Sequence, residues 1–573
     1  MHHFTEQHIF IFLVQIFLLL GLARALGELF RRWNQPPLTA EILVGILLGP
    51  TILGRFSPSV FRAIFPPDAI QISMLETTAW LGVFFLLLET GLEIDFSSAW
   101  RQRGDALKIA LSDIIVPILI AFVSCLFLPE RYLADPSQRL IFTVFLATVM
   151  TISAMPIAAR ALHDLGLFKT DLGFLIMSAL SVNDIIGWLI FTMVLGLFTQ
   201  ANLDILRVGF ILISTGIFIV FCLTFLRRFT DSLISKVKSK GLPEPATSLT
   251  LICLLGILCG AFTQRIGIHA LFGFFIAGIV SGEARALPER TRQVISQMVY
   301  AIFVPLFFAN IGLKIDFLKN FDLFLVLFIT VIGISARFLG AWLGVGLTEL
   351  SRSNRLSIAI AHTPGGSMEV VIGILALEYN LITEPVFVAI VFGAVISSVL
   401  LGPWLKYSIT KRKEISVLEF FAREQIIPEL RAKDRDGAIY ELCSLVSEKA
   451  NMPNSESIYS AVLQRENMMG TAIEEGIALP HARFDSIIKP VVAFARSVPG
   501  IDWNSPDGKS THLIFLILTP KRDDDVQIQT LRIISKTMQY GSDRDRLMKV
   551  KDISGIWDVF LELFGPHSIL RKK

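Results

Sequence analysis

Long apolar runs alternate with short polar connections from residue 9 to about residue 407, after which no run of comparable length recurs. A bilayer core of about 30 Å needs roughly 20 apolar residues per helix. Runs of that kind fall at residues 9–30, 39–55, 74–91, 107–128, 139–162, 172–199, 205–227, 246–264, 268–282, 296–313, 322–348, 354–377 and 384–407, about 13 predicted spans. The first run contains Arg24 and Glu28 and lacks a short apolar core followed by a small-residue cleavage site, so it predicts a retained helix. From about Ile415 the pattern becomes mixed polar and charged, which predicts a soluble domain with one compact core. The predicted division is a membrane domain over 1–410 and a cytosolic domain over 411–573.

Composition agrees with the pattern. In 573 residues, 53% hydrophobic and 18% charged, with mean hydropathy +0.63, an ordinary soluble globule is excluded. The net charge of +3 gives no basic surface of the kind nucleic acid demands, so no nucleic-acid partner is expected. Cys125, Cys222, Cys253 and Cys259 lie in apolar runs and Cys443 stands alone, a spacing that fits neither a zinc site nor disulfides, and no cofactor is expected. Lys and Arg are concentrated in alternate loops: Arg31 and Arg32; Arg101, Arg103 and Lys108; Arg227 to Lys240; Arg285, Arg290 and Arg292; Lys411 to Lys413. About 21 basic residues fall on that side and about 8 on the other, which puts the N-terminus outside and the C-terminal domain in the cytoplasm.

Ionisable groups inside spans cost at least about 2.5–3.5 kcal/mol each and so need a partner, a water-filled cavity or a function. Asn183-Asp184 in SALSVNDIIGW and Arg337 in VIGISARFLGAWLG are the main candidates. The fifth span crowds Thr148, Thr151, Ser153 and Pro156 together, and the twelfth has Pro364, Gly365 and Gly366 beside Ser367 and Glu369. Both are predicted to break in mid-membrane, where half-helix ends and freed carbonyls bind ions. Their spacing of seven spans predicts an inverted repeat that sets the breaks opposite each other, beside Asp184 and Arg337. Glu41, Glu89 and Asp113 lie nearer span ends and are expected to be solvated or snorkelling. His269 and His362 are expected near interfaces, with structural roles.

These motifs resemble, in order, the monovalent cation:proton antiporters of the second branch. QPPLTAEILVGILLGPTILG, LGVFFLLLETGLEIDF, TISAMPIAARALHDLGLFKTDLG, SVNDIIGW, GIHALFGFFIAGIVSG, VPLFFANIGLKIDF and the Pro-Gly-Gly break carry the resemblance across nearly the whole membrane part. It implies an all-α fold of 13 helices with two crossing broken helices, in which a core domain moves against a dimerisation domain, and hence a homodimer. It also implies that Asp184 carries the cation and the proton, that Asn183 is its paired neighbour, that Thr151 and Ser153 are cation ligands, and that Arg337 is the basic residue of the core. The transported ion would be Na+ or K+, exchanged for H+. Asn183 does not titrate and Arg337 does not release a proton, so one-for-one electroneutral exchange is expected unless Glu369 or Glu89 carries a second proton. A gated potassium efflux channel is the alternative within this resemblance.

From about Ser416 to Phe564 the chain resembles the IIA component of the fructose or nitrogen-regulatory class of the bacterial sugar phosphotransferase system, through GIALPHAR and DGKSTHLIFLILTP. The resemblance implies an α/β regulatory domain in a bacterial-type inner membrane protein. In it, His481 would be the phosphoacceptor, Arg483 would meet the phosphate, and the partner would be a phosphocarrier protein or a small-molecule ligand. Where the family usually has a second histidine, VQIQTLRIIS offers Gln527. A phosphotransferase component with a mere membrane anchor is disfavoured, because an anchor has no use for intramembrane polar groups.

Overall fold

The structure, a computed structural model, describes residues 5–565 except 33–36, 95–103, 169, 199–204, 285, 349, 351, 411–416, 450–453, 485–486, 488, 522–523 and 551. Arg101, Arg103, Arg285, the Lys411–Lys413 run and the expected boundary at 411 therefore lie outside the described residues. The apolar region folds as helices α1 (Glu6–Arg32), α2 (Pro37–Leu48), α3 (Ala69–Glu93), α4 (Asp105–Leu126), α5 (Arg139–Val149), α6 (Met155–Asp164), α7 (Asp171–Phe198), α8 (Ile205–Phe221) and α9 (Arg227–Ser239). It continues with α10 (Ala246–Arg265), α11 (Ala270–Gly282), α12 (Glu289–Met298), α13 (Val304–Lys314), α14 (Leu323–Gly346), α15 (Arg352–Ala361), α16 (Ser367–Glu378) and α17 (Glu384–Thr410). Among the described residues, nine helices are long and apolar enough to cross a membrane, the stretches Thr39–Phe56 and Glu289–Lys314 counting as one each.

The chain divides into two compact units. The first comprises Met1–Ala158, Ser178–Leu347 and Ala359–Trp404; the second comprises Ala159–Met177, Thr348–Ile358 and Leu405–Lys573. Within the first unit, α2 packs on α1 and α13, and α3 packs on α11 and α13, while α4 packs on α14 and α5. Small residues let these helices approach closely, as expected where apolar surface alone gives no preference between helix and lipid. A Cβ on Gly91 of α3 would lie 2.2 Å from the Phe275 carbonyl oxygen of α11, and one on Gly340 of α14 would lie 2.8 Å from Pro117 Cδ of α4.

Two spans are in pieces. Pro156 has no N–H and its ring excludes the carbonyl four residues back, so α5 stops at Val149 and α6 starts at Met155. Pro364-Gly365-Gly366 separates α15 from α16 in the same way, with Gly366 extended at φ −159°.

In the second unit, strands β1 (Phe421–Ile427), β2 (Ala472–Ile473), β3 (Ile477–Ala478), β4 (His481–Phe484), β5 (Val491–Ile501) and β6 (Thr511–Pro520) form one mixed sheet in the order β1-β5-β6-β3-β2. β3 and β4 follow one another along the same edge of β6. Side chains of β6 alternate between two cores. Leu513, Phe515 and Ile517 face α20 (Asp524–Met538), α21 (Gly541–Lys549) and α22 (Ile553–Phe564), and Ile514, Leu516 and Leu518 face α18 (Arg435–Lys449) and α19 (Ser455–Met468). The result is a sheet with helices on both faces.

Candidate functional site

The two breaks cross. The Ala154 backbone N–H donates to the Pro364 carbonyl at 2.8 Å, and Ser153 Oγ donates to the His362 carbonyl at 2.8 Å. A Cβ on Gly366 would lie 2.5 Å from Ala154 Cβ, so the crossing requires glycine there. Backbone freed by the second break is satisfied from α17: Gly365 N–H donates to Ser397 Oγ at 2.9 Å, and Ser398 Oγ donates to the Gly365 carbonyl at 2.7 Å.

Helix α7 lies hard against the first break, where a Cβ on Gly187 would come within 2.7 Å of Ile152 Cγ1. Asn183, fully buried, reads the break through its amide. Its Oδ1 accepts from Ser153 N–H at 3.4 Å, and its Nδ2 donates to the Thr151 carbonyl at 3.5 Å and to Asp113 Oδ2 at 3.1 Å. Asp184 is 1% exposed, and among the described residues neither of its carboxylate oxygens has a hydrogen-bond partner. The hydroxyl protons of Thr151 and Ser153 both go to carbonyls, of Ala147 at 2.7 Å and of His362, which leaves their oxygen lone pairs as acceptors.

Arg337 also reaches the break, donating to the Ile152 carbonyl at 3.0 Å, and its ion-pair partner is Glu369 in the first turn of α16. The side chains of the pair are 3% and 6% exposed. Asp113 is a further electrostatic neighbour of the guanidinium.

Three carboxylates depart from the expectation of a solvated role. Glu41, Glu89 and Asp113 are 5%, 2% and 0% exposed, and each has one oxygen without a hydrogen-bond partner among the described residues. The cause for Asp113 is tertiary: Gly340 and Gly344 bring α14 onto its helix, with a Cβ on Gly340 only 3.1 Å from Asp113 Cα. Sequence reasoning missed Asp113 because hydropathy reports depth and not facing. His269 caps α11, accepting from Leu271 N–H at 3.3 Å, and stacks on Trp80. His362, expected near an interface, is fully buried in the second break.

In the second unit His481 opens β4, and its Nδ1 lies 2.8 Å from the Leu479 carbonyl. A carbonyl only accepts, so Nδ1 is the donor, and in the neutral tautomer the lone pair sits on Nε2. The ring is 1% exposed. Arg483, two residues on, donates from Nε to Oε1 of Gln527, which is fully buried on the first turn of α20.

A polytopic helical bundle in which two broken helices cross beside a partnerless carboxylate is the architecture of a secondary ion transporter. The chain belongs to the sodium/hydrogen exchanger family: residues 9–407 match the family described as sodium/hydrogen exchanger, transmembrane. Residues 419–563 match the EIIA 2 family of the phosphoenolpyruvate-dependent sugar phosphotransferase system. It is an integral membrane protein. Cation/H(+) antiporter 17 of Arabidopsis thaliana is 30% identical over 406 residues, which are 70% of this chain and 48% of that protein. The chain thus spans about half the length of the plant relatives it matches. Na(+)/H(+) antiporter NhaS4 of Synechocystis sp. is 29% identical over 399 residues, 68% of this chain and 95% of that protein. The sodium proton antiporter MjNhaP1 of Methanocaldococcus jannaschii shares the fold, with a TM-score of 0.53 and 18% identity over 70% of this chain and 97% of that one.

Proposed function

We propose that the chain is an antiporter exchanging a monovalent cation, Na+ or K+, for H+ by alternating access. The observation that carries this reading is Asp184, whose two buried oxygens have no hydrogen-bond partner among the described residues, on a helix pressed against the crossed breaks. A bare carboxylate so buried is costly until a proton or a dehydrated cation completes it, and it takes one or the other. That competition couples the two fluxes once the site alternates between the membrane faces. Thr151 and Ser153 supply neutral oxygens to the cation, and Asn183 holds the first break in position. Arg337, matched by Glu369, neither titrates nor competes with the cation for Asp184. Exchange is then one for one and electroneutral. The reading includes 13 spans in an inverted repeat, a homodimer in a bacterial-type inner membrane, the N-terminus outside and the EIIA-like segment in the cytoplasm. That segment regulates transport. A phosphocarrier protein transfers its phosphoryl group to Nε2 of His481, one N–P bond breaking as another forms.

The test is proton flux in proteoliposomes with an interior pH dye, adding Na+ or K+ at clamped potential, for wild type and Asp184→Asn. Cation-dependent flux that ignores voltage and vanishes in the variant is expected. Persisting flux would remove Asp184 as carrier, and voltage-dependent flux would assign a second proton to another carboxyl, Asp113 first. A saturating K+ current without proton movement would replace exchange by a gated efflux channel.

A further inference from the structure

The second compact unit contains more than the EIIA-like segment. It takes in residues 159–177, the end of α6, the following turn and the start of α7. That turn closes α6 as a glycine cap: Gly166 has φ +69°, its N–H donates to the His163 carbonyl at 2.9 Å, and Leu167 N–H donates to the Leu162 carbonyl at 2.7 Å. The turn sits against α20. An ideal Cβ on Gly166 would be 3.6 Å from Ser535 Oγ and 3.9 Å from Ser535 Cβ. Nearby, the Arg465 guanidinium of α19 lies 5.7 Å from the ring centre of Phe174 in α7.

Helix α20 has its other end at the histidine site. Gln527, Leu531 and Ser535 are spaced four residues apart and therefore share one face, about 12 Å long. Gln527 holds Arg483, two residues from His481, while Ser535 meets the turn. A cavity of about 240 Å³ adjoins the contact of Gly166 with Ser535, lined by Phe168 and Thr170 and by Leu479, Leu531 and Met538. It has room for several waters, so the turn and α20 touch without a continuous packed core. Contacts of that kind separate at low cost. Beyond the turn, α7 runs about 20 Å from Asp171 to Asp184.

We propose that the Gln527–Leu531–Ser535 face of α20 is the output surface of the EIIA-like segment, docking reversibly on the 163–168 turn to set the transport rate. This rests on the transport reading above. A change at His481 that draws Arg483 away from Gln527 acts on the same helix that touches the turn. The turn is covalently continuous with α7 and its Asp184. The partner of this surface is therefore the chain's own transport helix.

The test is Gly166→Cys/Ser535→Cys in the full chain in proteoliposomes. The Cβ separation of 3.9 Å falls within the roughly 3.5–4.5 Å that a disulfide requires. Copper phenanthroline is expected to join residues 166 and 535, read by mass spectrometry, and to change cation-driven proton flux about fivefold or more. Dithiothreitol should reverse the change, and Ser535→Cys alone should show none; Gly166→Cys alone, strained at its positive φ, is the baseline for the reduced double variant. Ser535→Trp leaves the turn unaltered and wedges the surface open, so it should move the flux in the opposite direction. Failure to cross-link while both thiols react with maleimide would overturn the docking. A cross-link, or Ser535→Trp, without effect on a working transporter would overturn the coupling alone. Absence of flux in the unmodified protein would refute the transport reading and the coupling with it.

Discussion

Removing one member of the Arg337–Glu369 pair should do far more harm than removing both. Both side chains are nearly fully buried, and Arg337 spends one further hydrogen bond on the Ile152 carbonyl of the break. Glu369→Leu strands a guanidinium that cannot shed its charge, at a cost of about 3–5 kcal/mol. Arg337→Met strands carboxyls, and these can take up protons, so its cost should be smaller. The double variant replaces the pair with apolar volume and should recover most of the loss, because a buried pair is often neutral against well-packed hydrophobic residues. The pairwise coupling is expected to be at least about 2 kcal/mol. Thermal denaturation in detergent at one fixed scan rate gives the order of the four proteins, scan rate being held because such unfolding is irreversible. The expected order of stability is wild type close to the double variant, then Arg337→Met, then Glu369→Leu. A double variant no more stable than Glu369→Leu would refute the assignment of Glu369 as the group that neutralises Arg337.

Gly365→Ala should disturb the same pair from the backbone side, because a Cβ there would lie 2.1 Å from Glu369 Oε2; impaired folding or flux similar to Glu369→Leu is expected. In the EIIA-like segment, Glu466 is 2% exposed and accepts from Thr471 N–H at 2.9 Å and Trp503 Nε1 at 3.0 Å. Glu466→Ala orphans these two donors and the Thr471 hydroxyl, which donates to the other oxygen, and should cost about 2–5 kcal/mol, seen as earlier loss of native Trp503 fluorescence in urea. Burial pushes the Cys443 thiol up to about 12, against about 8.5 in the unfolded chain. Its contribution to stability is full below pH about 8.5 and is lost as pH rises through about 12, because the unfolded chain releases the proton first. Alkylation of Cys443 in the native protein should therefore stay slow between pH 7 and 9, while an exposed thiol accelerates about tenfold per pH unit below its own pKa; rapid native labelling would contradict the burial.

What could be read in the sequence was whatever residue type alone dictates. Pro156 and Pro364-Gly365-Gly366 forbid a continuous helix wherever they fall, so both breaks were legible, and so was the expense of Asp184 in the middle of an apolar run. Which group meets which is decided by helix facing, and hydropathy carries none of that. Asp113 lies in the early turns of its helix and reads as a snorkelling residue until Gly340 and Gly344 bring α14 down over it. Arg337 had several intramembrane acids as possible partners in the sequence, Asp184 and Glu369 among them. It takes Glu369 because α16 begins immediately after the second break and presents its first turn there. In the C-terminal segment Gln527 was visible only as a replaced histidine. Its place beside Arg483, and the seating of Ser535 against Gly166, follow from the α20 face and have no local signature.

The way the breaks are satisfied constrains how a cation can be held. The carbonyls of Thr151, Ile152, His362, Pro364 and Gly365 each already receive an internal donor, from Asn183, Arg337, Ser153, Ala154 and Ser398. Each donor lowers the negative potential its carbonyl offers, so the breaks do not form the ring of bare carbonyls that replaces a hydration shell in a selective pore. In the proposed exchange, Asp184 supplies the charge, the Thr151 and Ser153 hydroxyl oxygens supply dipoles, and retained water completes the shell. Loss of one neutral ligand should weaken cation binding without removing the competition with the proton. Thr151→Val keeps the shape and deletes one oxygen, worth about 1 kcal/mol, so the half-saturating cation concentration should rise about fivefold with maximal flux retained. Ser153→Ala loses its bond to the His362 carbonyl as well and should lower maximal flux in addition. Abolition of exchange by Thr151→Val at saturating cation would mean that the hydroxyl, and not Asp184 with water, is indispensable to the bound ion.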